Sequence, residues 1–145
     1  MKPSSFAHLR QDGVSFLVSL TPELVRIIHW GEDLGDIKDF ESYLAASIEP
    51  TAHAEGDFPD QSGIWREQAR GAIGSPVLRG HRQGEDFSPL FVLISHSSSE
   101  QELVVVGEDA AAGLRIETSF SFVGAGVLVT TQAVTNSGPV YYFVE

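Results

Sequence analysis

The chain has 145 residues, 20 acidic and 9 basic side chains, a formal net charge of -11, and no cysteine. That length suits one domain, and the acidity sets the surface against phosphate backbones and anionic lipids, so neither nucleic acid nor membrane partners are expected. Without thiols there are no disulfides, thiolate zinc sites or cysteine nucleophiles. Met1 to Arg10 carries no secretory pattern and no apolar run approaches ~20 residues, which makes the cytoplasm the expected location.

From Gly13 to Thr21, Val14, Phe16, Val18 and Leu20 alternate with Ser15, Leu17 and Ser19, the period of two of a strand. Thr21-Pro22-Glu23 turns the chain, and Leu24 to Trp30, rich in β-branched and aromatic residues, predicts a return strand that closes a hairpin before Gly31. Between Asp36 and Ile48 the spacing of Ile37, Phe40, Tyr43, Leu44 and Ile48 predicts one short amphipathic helix. Glu49 to Gly63 mixes prolines, glycines and acids with His53 and has no regular apolar face, so it is expected to be a long surface loop. Gly80 to Pro89 is a second turn-rich stretch, with Arg79, His81, Arg82, Glu85 and Asp86 close together.

The second half predicts strands at Leu90 to His96, Glu102 to Val106, Leu114 to Val123, Val127 to Val134 and Val140 to Val144. Many short strands and one helix give a mainly β fold, an antiparallel β-sandwich, and exclude a doubly wound parallel sheet. The apolar end Val140-Tyr141-Tyr142-Phe143-Val144 predicts that its partner strand lies beyond residue 145 or on another chain, as in a domain truncated at its C-terminus.

The acids nominate no catalytic pair. Asp33, Asp36, Asp57 and Asp86 all sit among turn-forming residues, where Asp accepts backbone hydrogen bonds. The five histidines lack ligand spacing on any helix, so no metal site is expected. Ser95-His96-Ser97 puts hydroxyls beside an imidazole, but neighbours on a strand face opposite ways and no nucleophile elbow accompanies them. No phosphate loop or dinucleotide fingerprint occurs, and no cofactor is implied. Trp30 and Trp65 fit either core packing or stacking on a sugar ring. Arg79, His81 and Arg82 lie close enough along the chain to Glu85 and Asp86 for local pairing.

Two blocks resemble a known family. One runs Leu9-Arg10-Gln11-Asp12-Gly13-Val14-Ser15 with Ile28-His29-Trp30-Gly31-Glu32-Asp33-Leu34-Gly35. The other is Pro76-Val77-Leu78-Arg79-Gly80-His81-Arg82 with Asp86-Phe87-Ser88-Pro89-Leu90-Phe91. Both are similar to the amino-terminal domain of bacterial alpha-galactosidases of glycoside hydrolase family thirty-six, and the similarity is weakest over Lys38 to Gln61. The resemblance implies a large, supersandwich-like β-sandwich beside a separate (β/α)8 barrel that carries both catalytic aspartates. The family nucleophile sits in a Lys-x-Asp motif, whereas Lys38 here is followed by Asp39-Phe40, so no catalytic residue carries over.

The resemblance further implies homo-oligomers in which a loop of this domain reaches a neighbour's active site. That gives the loop's Asp57, and with it Trp65, a substrate-adjacent role, and makes Arg79, His81 and Arg82 candidates for the seam with the barrel, which is absent from this chain. The expected function is that of a non-catalytic accessory domain of an enzyme acting on alpha-galactosides. An autonomous carbohydrate-binding module and a purely structural interaction domain are the alternatives.

Overall fold

A computed structural model describes residues 5–48, 63–72 and 74–145. Along the chain run β1 (Ser5–Gln11), β2 (Val14–Leu20), β3 (Val25–Glu32), α1 (Phe40–Ala46), a 3-10 turn at Gln68–Arg70, β4 (Gly80–His81), β5 (Val92–Ser98), β6 (Glu102–Asp109), β7 (Leu114–Phe122), β8 (Leu128–Asn136) and β9 (Phe143–Val144). They form a three-stranded sheet β1-β2-β3, a four-stranded sheet β5-β6-β7-β8 and a ribbon β4-β9, with every pairing antiparallel.

The expected hairpin is present as β2 and β3. Its turn is closed by Thr21, whose hydroxyl donates to the Leu24 carbonyl at 2.7 Å. A strand precedes it that the apolar pattern did not announce. β1 meets β2 through Asp12 and Gly13, both at positive φ (50° and 79°), a conformation that matches the twist of a two-residue hairpin. The helix occupies only the middle of the expected span. Asp39 caps it by accepting the Ser42 backbone N–H at 3.2 Å.

Most of the expected loop from Glu49 to Gly63, with Asp57, lies outside the described residues. Where the chain resumes, the Ile64 N–H donates to the Val25 carbonyl at 2.8 Å and holds the segment against β3.

The two larger sheets face each other. Phe16 of β2 packs on Phe120 of β7 with ring centroids 4.9 Å apart, and the Arg10 N–H of β1 donates to the Glu100 carbonyl just before β6. β7 alternates cleanly: Leu114, Ile116, Thr118, Phe120 and Phe122 are buried, and the residues between them face outward. On β2 both faces are buried, Ser15, Leu17 and Ser19 as well as Phe16 and Val18, and on neighbouring β1 Phe6 stacks on Phe40 of α1 at 4.5 Å. Each fully buried Leu or Phe of this interior contributes about 1.5–3 kcal/mol from apolar burial.

The last strand differs from expectation. Only Phe143 and Val144 enter a ladder, and their partners are Gly80 and His81 of the same chain. Pro139 supplies no N–H, and Val140 to Tyr142 cross to β4 outside any ladder. The strand therefore has a partner within the chain, although its apolar side chains remain exposed.

Candidate functional site

The cationic stretch after Pro76 becomes a small structural hub. Gln83 and Gly84, both at positive φ, fold Arg82 back on Glu85, and the two exchange backbone hydrogen bonds of 2.8 and 2.9 Å. The Arg82 guanidinium then reaches Asp86 at 3.2 Å, the Ala112 carbonyl at 2.7 Å, Asn136 Oδ1 at 3.0 Å and the Val140 carbonyl, with the Tyr142 ring beneath it. Gly138 leaves room for it, since a Cβ there would fall 2.6 Å from Arg82 Nη2. The Tyr142 hydroxyl donates to the Asp86 carbonyl at 3.0 Å, and burial pushes that phenol above its ordinary range. Arg82 thus ties the turn at residues 82–86 to the ends of β8 and β9, with several donors aimed at separate acceptors, which suits a guanidinium better than an ammonium.

Strand alternation in β4 and β9 fixes what this hub presents. His81 is in register with Phe143, and the Glu145 N–H donates to the Arg79 carbonyl, so Arg79, His81, Phe143 and Glu145 share one face. His81 packs on Phe143 at 5.4 Å and Tyr141 meets Phe143 edge-on at 4.9 Å. Phe143 remains 50% exposed and Tyr141 62%, so an aromatic ridge flanked by the exposed Arg79 stands open to solvent. Of the three expected seam residues, Arg82 has partners in its own chain. His81 belongs to the ridge, and Arg79 stands beside it.

Trp65 is placed differently. It is 3% exposed, donates its indole N–H to the Thr118 hydroxyl at 3.0 Å and meets Phe91 edge-on. Gly107 makes this possible, because a Cβ there would lie 2.5 Å from the indole. Of the two readings the sequence left open, Trp65 follows core packing, while Trp30 is 61% exposed at the β3 edge.

Two polar clusters went unrecognised in the sequence. In the first, Arg10 grips Asp33 through two contacts of 2.7 Å and reaches Asp36 at 3.1 Å. The Ser15 hydroxyl donates to Asp33 at 2.8 Å while accepting the Leu34 N–H, so His8 Nε2, 2.8 Å away, must be the donor to Ser15. Serine, histidine and aspartate meet here, but the serine proton points at the carboxylate and the imidazole donates. The imidazole is therefore not placed to take the hydroxyl proton, the carboxylate is held by Arg10, and the arrangement holds a loop in place. Arg10 and the Ser15 and Gly35 donors keep the Asp33 carboxyl well below the usual carboxylate range, and burial lowers the His8 pKa.

In the second cluster, buried Glu67 accepts the Phe91 N–H at 2.5 Å and pairs with Arg70 at 2.6 Å. Burial raises its pKa despite both donors. Beside it a cleft lined by Arg66, Pro76, Val77, Phe87 and Pro89 holds only ≈ 10 Å³, room for about one water and too little for a sugar ring. Among the described residues no group of three or more His, Asp or Glu side chains is placed to hold a metal ion. No helix among them is long and apolar enough to cross a membrane.

Comparison with known proteins accounts for this architecture. The model of the glycosyl hydrolase family 36 N-terminal domain matches residues 23–144. An alpha-galactosidase of Escherichia coli is 35% identical over 123 residues, which cover 84% of this chain and 17% of that protein. The crystal structure of a family 36 alpha-galactosidase from Geobacillus stearothermophilus, in complex with 1-deoxygalactonojirimycin, shares the fold with a TM-score of 0.69 at 15% identity, covering 92% of this chain and 22% of that one. The chain therefore spans about a sixth of the curated relative and is an N-terminal domain of glycosyl hydrolase family 36.

Proposed function

We propose that the chain is the non-catalytic N-terminal domain of an alpha-galactosidase that hydrolyses terminal alpha-galactosides, with the chemistry carried by a (β/α)8 barrel outside these 145 residues. The observation that carries this reading is the family match over residues 23–144 in a chain that spans only 17% of its Escherichia coli relative. In this reading the domain supports the barrel, takes part in assembling a cytoplasmic oligomer and shapes the substrate entrance.

The ridge of His81, Tyr141 and Phe143, with Arg79 beside it, is the proposed seam with the barrel. Exposed aromatic rings with an adjacent arginine are the residue types enriched where protein surfaces meet. Arg82 contributes by holding the two strands of the ridge together. Asp57 is the proposed substrate-adjacent residue, whereas Trp65, expected beside it, packs in the core against Thr118 and Phe91.

A second reading, an autonomous carbohydrate-binding module, is favoured by one feature, the exposed indole of Trp30. Calorimetric titration of the purified chain with galactose and with raffinose separates the two. The accessory-domain reading predicts no heat of binding for either sugar. Saturable binding that disappears in Trp30→Ala would transfer the function to the module.

A further inference from the structure

The chain that follows β3 is held to the sheet β1-β2-β3 mainly by polar contacts. Of residues 33–48 only Phe40 is buried, so apolar packing secures this segment at one point, where Phe40 stacks on Phe6. Its other holds are hydrogen bonds and ion pairs. Arg10 grips Asp33 and Asp36, and Arg26 donates to the Ser47 carbonyl. The buried Ser15 hydroxyl accepts the Leu34 N–H at 2.9 Å while donating to Asp33. In the ladders Phe6 stands opposite Ser19 and Ser19 opposite Arg26, while Arg10 stands opposite Ser15, so all these holds rise from one face of the sheet.

His8 lies in the middle of that face. It is in register with Leu17, Leu17 is in register with His29, and His8 Nε2 donates to Ser15 Oγ at 2.8 Å. The charged and titratable groups that act on it are Arg10 on its own strand, His29 on β3, and Asp33 and Asp36 on the segment above. Burial first, and then Arg10 and His29, hold the imidazole below its ordinary range against the opposing pull of the two carboxylates. Its Nε2–H donates to Ser15 in either protonation state, so what protonation adds is a desolvated positive charge beside Arg10.

We infer that residues 33–48 form a strap latched to the sheet through Ser15 and Asp33, and that protonation of His8 loosens the latch. Lifting the strap returns water to His8 and brings its imidazole back toward the ordinary value of 6.5, so the lifted state binds the proton more readily. The latch is therefore at full strength above that value. It weakens as pH falls below it, by at most about tenfold in the opening equilibrium per pH unit. Asp33, whose carboxyl is held well below its usual range, yields only in stronger acid, so between the ordinary imidazole and carboxylate ranges His8 acts without it. Ser47, the last residue held, lies just before Glu49, where the stretch with Asp57 begins, while beyond that stretch Ile64 and Trp65 stay fixed to Val25 and Thr118. Any consequence for substrate rests on the function proposed above, whereas the latch itself does not.

Hydrogen exchange of the full chain, followed amide by amide and corrected for the intrinsic rate at each pH, tests the latch. Between about pH 7 and about pH 5 the protection of the Leu34 amide should fall roughly fivefold or more, while that of the β7 amides stays constant. His8→Gln, whose Nε2 keeps a donor near Ser15 but takes up no proton, should abolish the fall, and His29→Gln should leave it in place. Protection that does not change in the native chain overturns the inference. So does an equal fall in His8→Gln, or a fall shared by β7, which reports unfolding of the whole domain. Should His8→Gln not fold, NMR titration of the His8 ring in the native chain decides. A midpoint below the ordinary imidazole value supports the latch, and one at or above it overturns it. None of these outcomes depends on where the catalytic chemistry lies, so the latch and the accessory-domain reading fail separately.

Discussion

Phe16 and Phe143 are the same residue in two different physical settings. Phe16 is fully buried between two sheets, with Phe120 on one side and strands on both of its own flanks. Phe143 lies on a two-residue strand, half exposed, in contact with the rings of His81 and the exposed Tyr141. The β2–β7 interior is filled by side chains of this chain, while the β4–β9 margin presents apolar surface outward. Stability resides in the first region. The features suited to meeting another protein surface are concentrated in the second.

The largest expected effect separates the two regions directly. Phe16→Ala should destabilise the chain by about 3–5 kcal/mol, enough to unfold a marginal domain, because it removes apolar burial and leaves a cavity. Phe143→Ala should stay within about 1 kcal/mol, because half of that ring already meets water. Urea denaturation of both variants checks the pair. Equal losses would mean that the margin is as much a part of the core as β2.

Gly107→Ala comes next. Its new methyl would lie 2.5 Å from the Trp65 indole, and overpacking of this kind costs about 1–3 kcal/mol. A red shift of the Trp65 fluorescence should accompany the loss as the indole is displaced toward water, and an unchanged spectrum would place the strain elsewhere.

The smallest effects are in pH dependence, where two carboxylates should behave oppositely. Glu67 has a raised pKa in the folded state, so its contribution is fully present below the unfolded glutamate value and is lost as pH rises through the folded value. The stability advantage of the native chain over Glu67→Gln should therefore shrink from acid toward neutral pH. Asp33 has a depressed pKa, so its contribution is present above the unfolded aspartate value and lost only as pH falls toward the folded one. The advantage over Asp33→Asn should hold at neutral pH and vanish in acid. Chemical denaturation at a series of pH values reads both slopes, and parallel slopes would contradict the two environments.

What the sequence disclosed follows the same division between the regions. The alternation in β7 is legible because that strand buries one regular face, and in β2 because the Phe16, Val18 and Leu20 face is strongly apolar although the Ser15, Leu17 and Ser19 face is buried too. β1 is less visible, since its buried positions are Ala7 and Leu9 among polar neighbours. Its readable signal is the Asp12-Gly13 turn. Val140 to Val144 looks like a strand by composition, yet only its last part has a backbone opposite it to pair with.

The site residues were less legible still, because their partners are distant in sequence. Arg82 reaches Asn136 and Val140, and Arg10 reaches Asp33, contacts that spacing along the chain cannot reveal. Trp65 sits in an irregular segment, and its burial depends on the missing side chain at Gly107 on another strand. Glu67 adjoins it with no pattern to mark a buried carboxyl. Within Leu78-Arg79-Gly80-His81-Arg82, Gly80 and Arg82 are held by contacts across the fold that periodicity cannot report.

Assay of the purified chain against an aryl alpha-galactoside tests the central claim most directly. The accessory-domain account predicts hydrolysis no faster than in buffer alone, because that account assigns the chemistry to a barrel outside these 145 residues. Reproducible turnover that a single aspartate substitution abolishes would contradict it and would locate an active site within this sandwich.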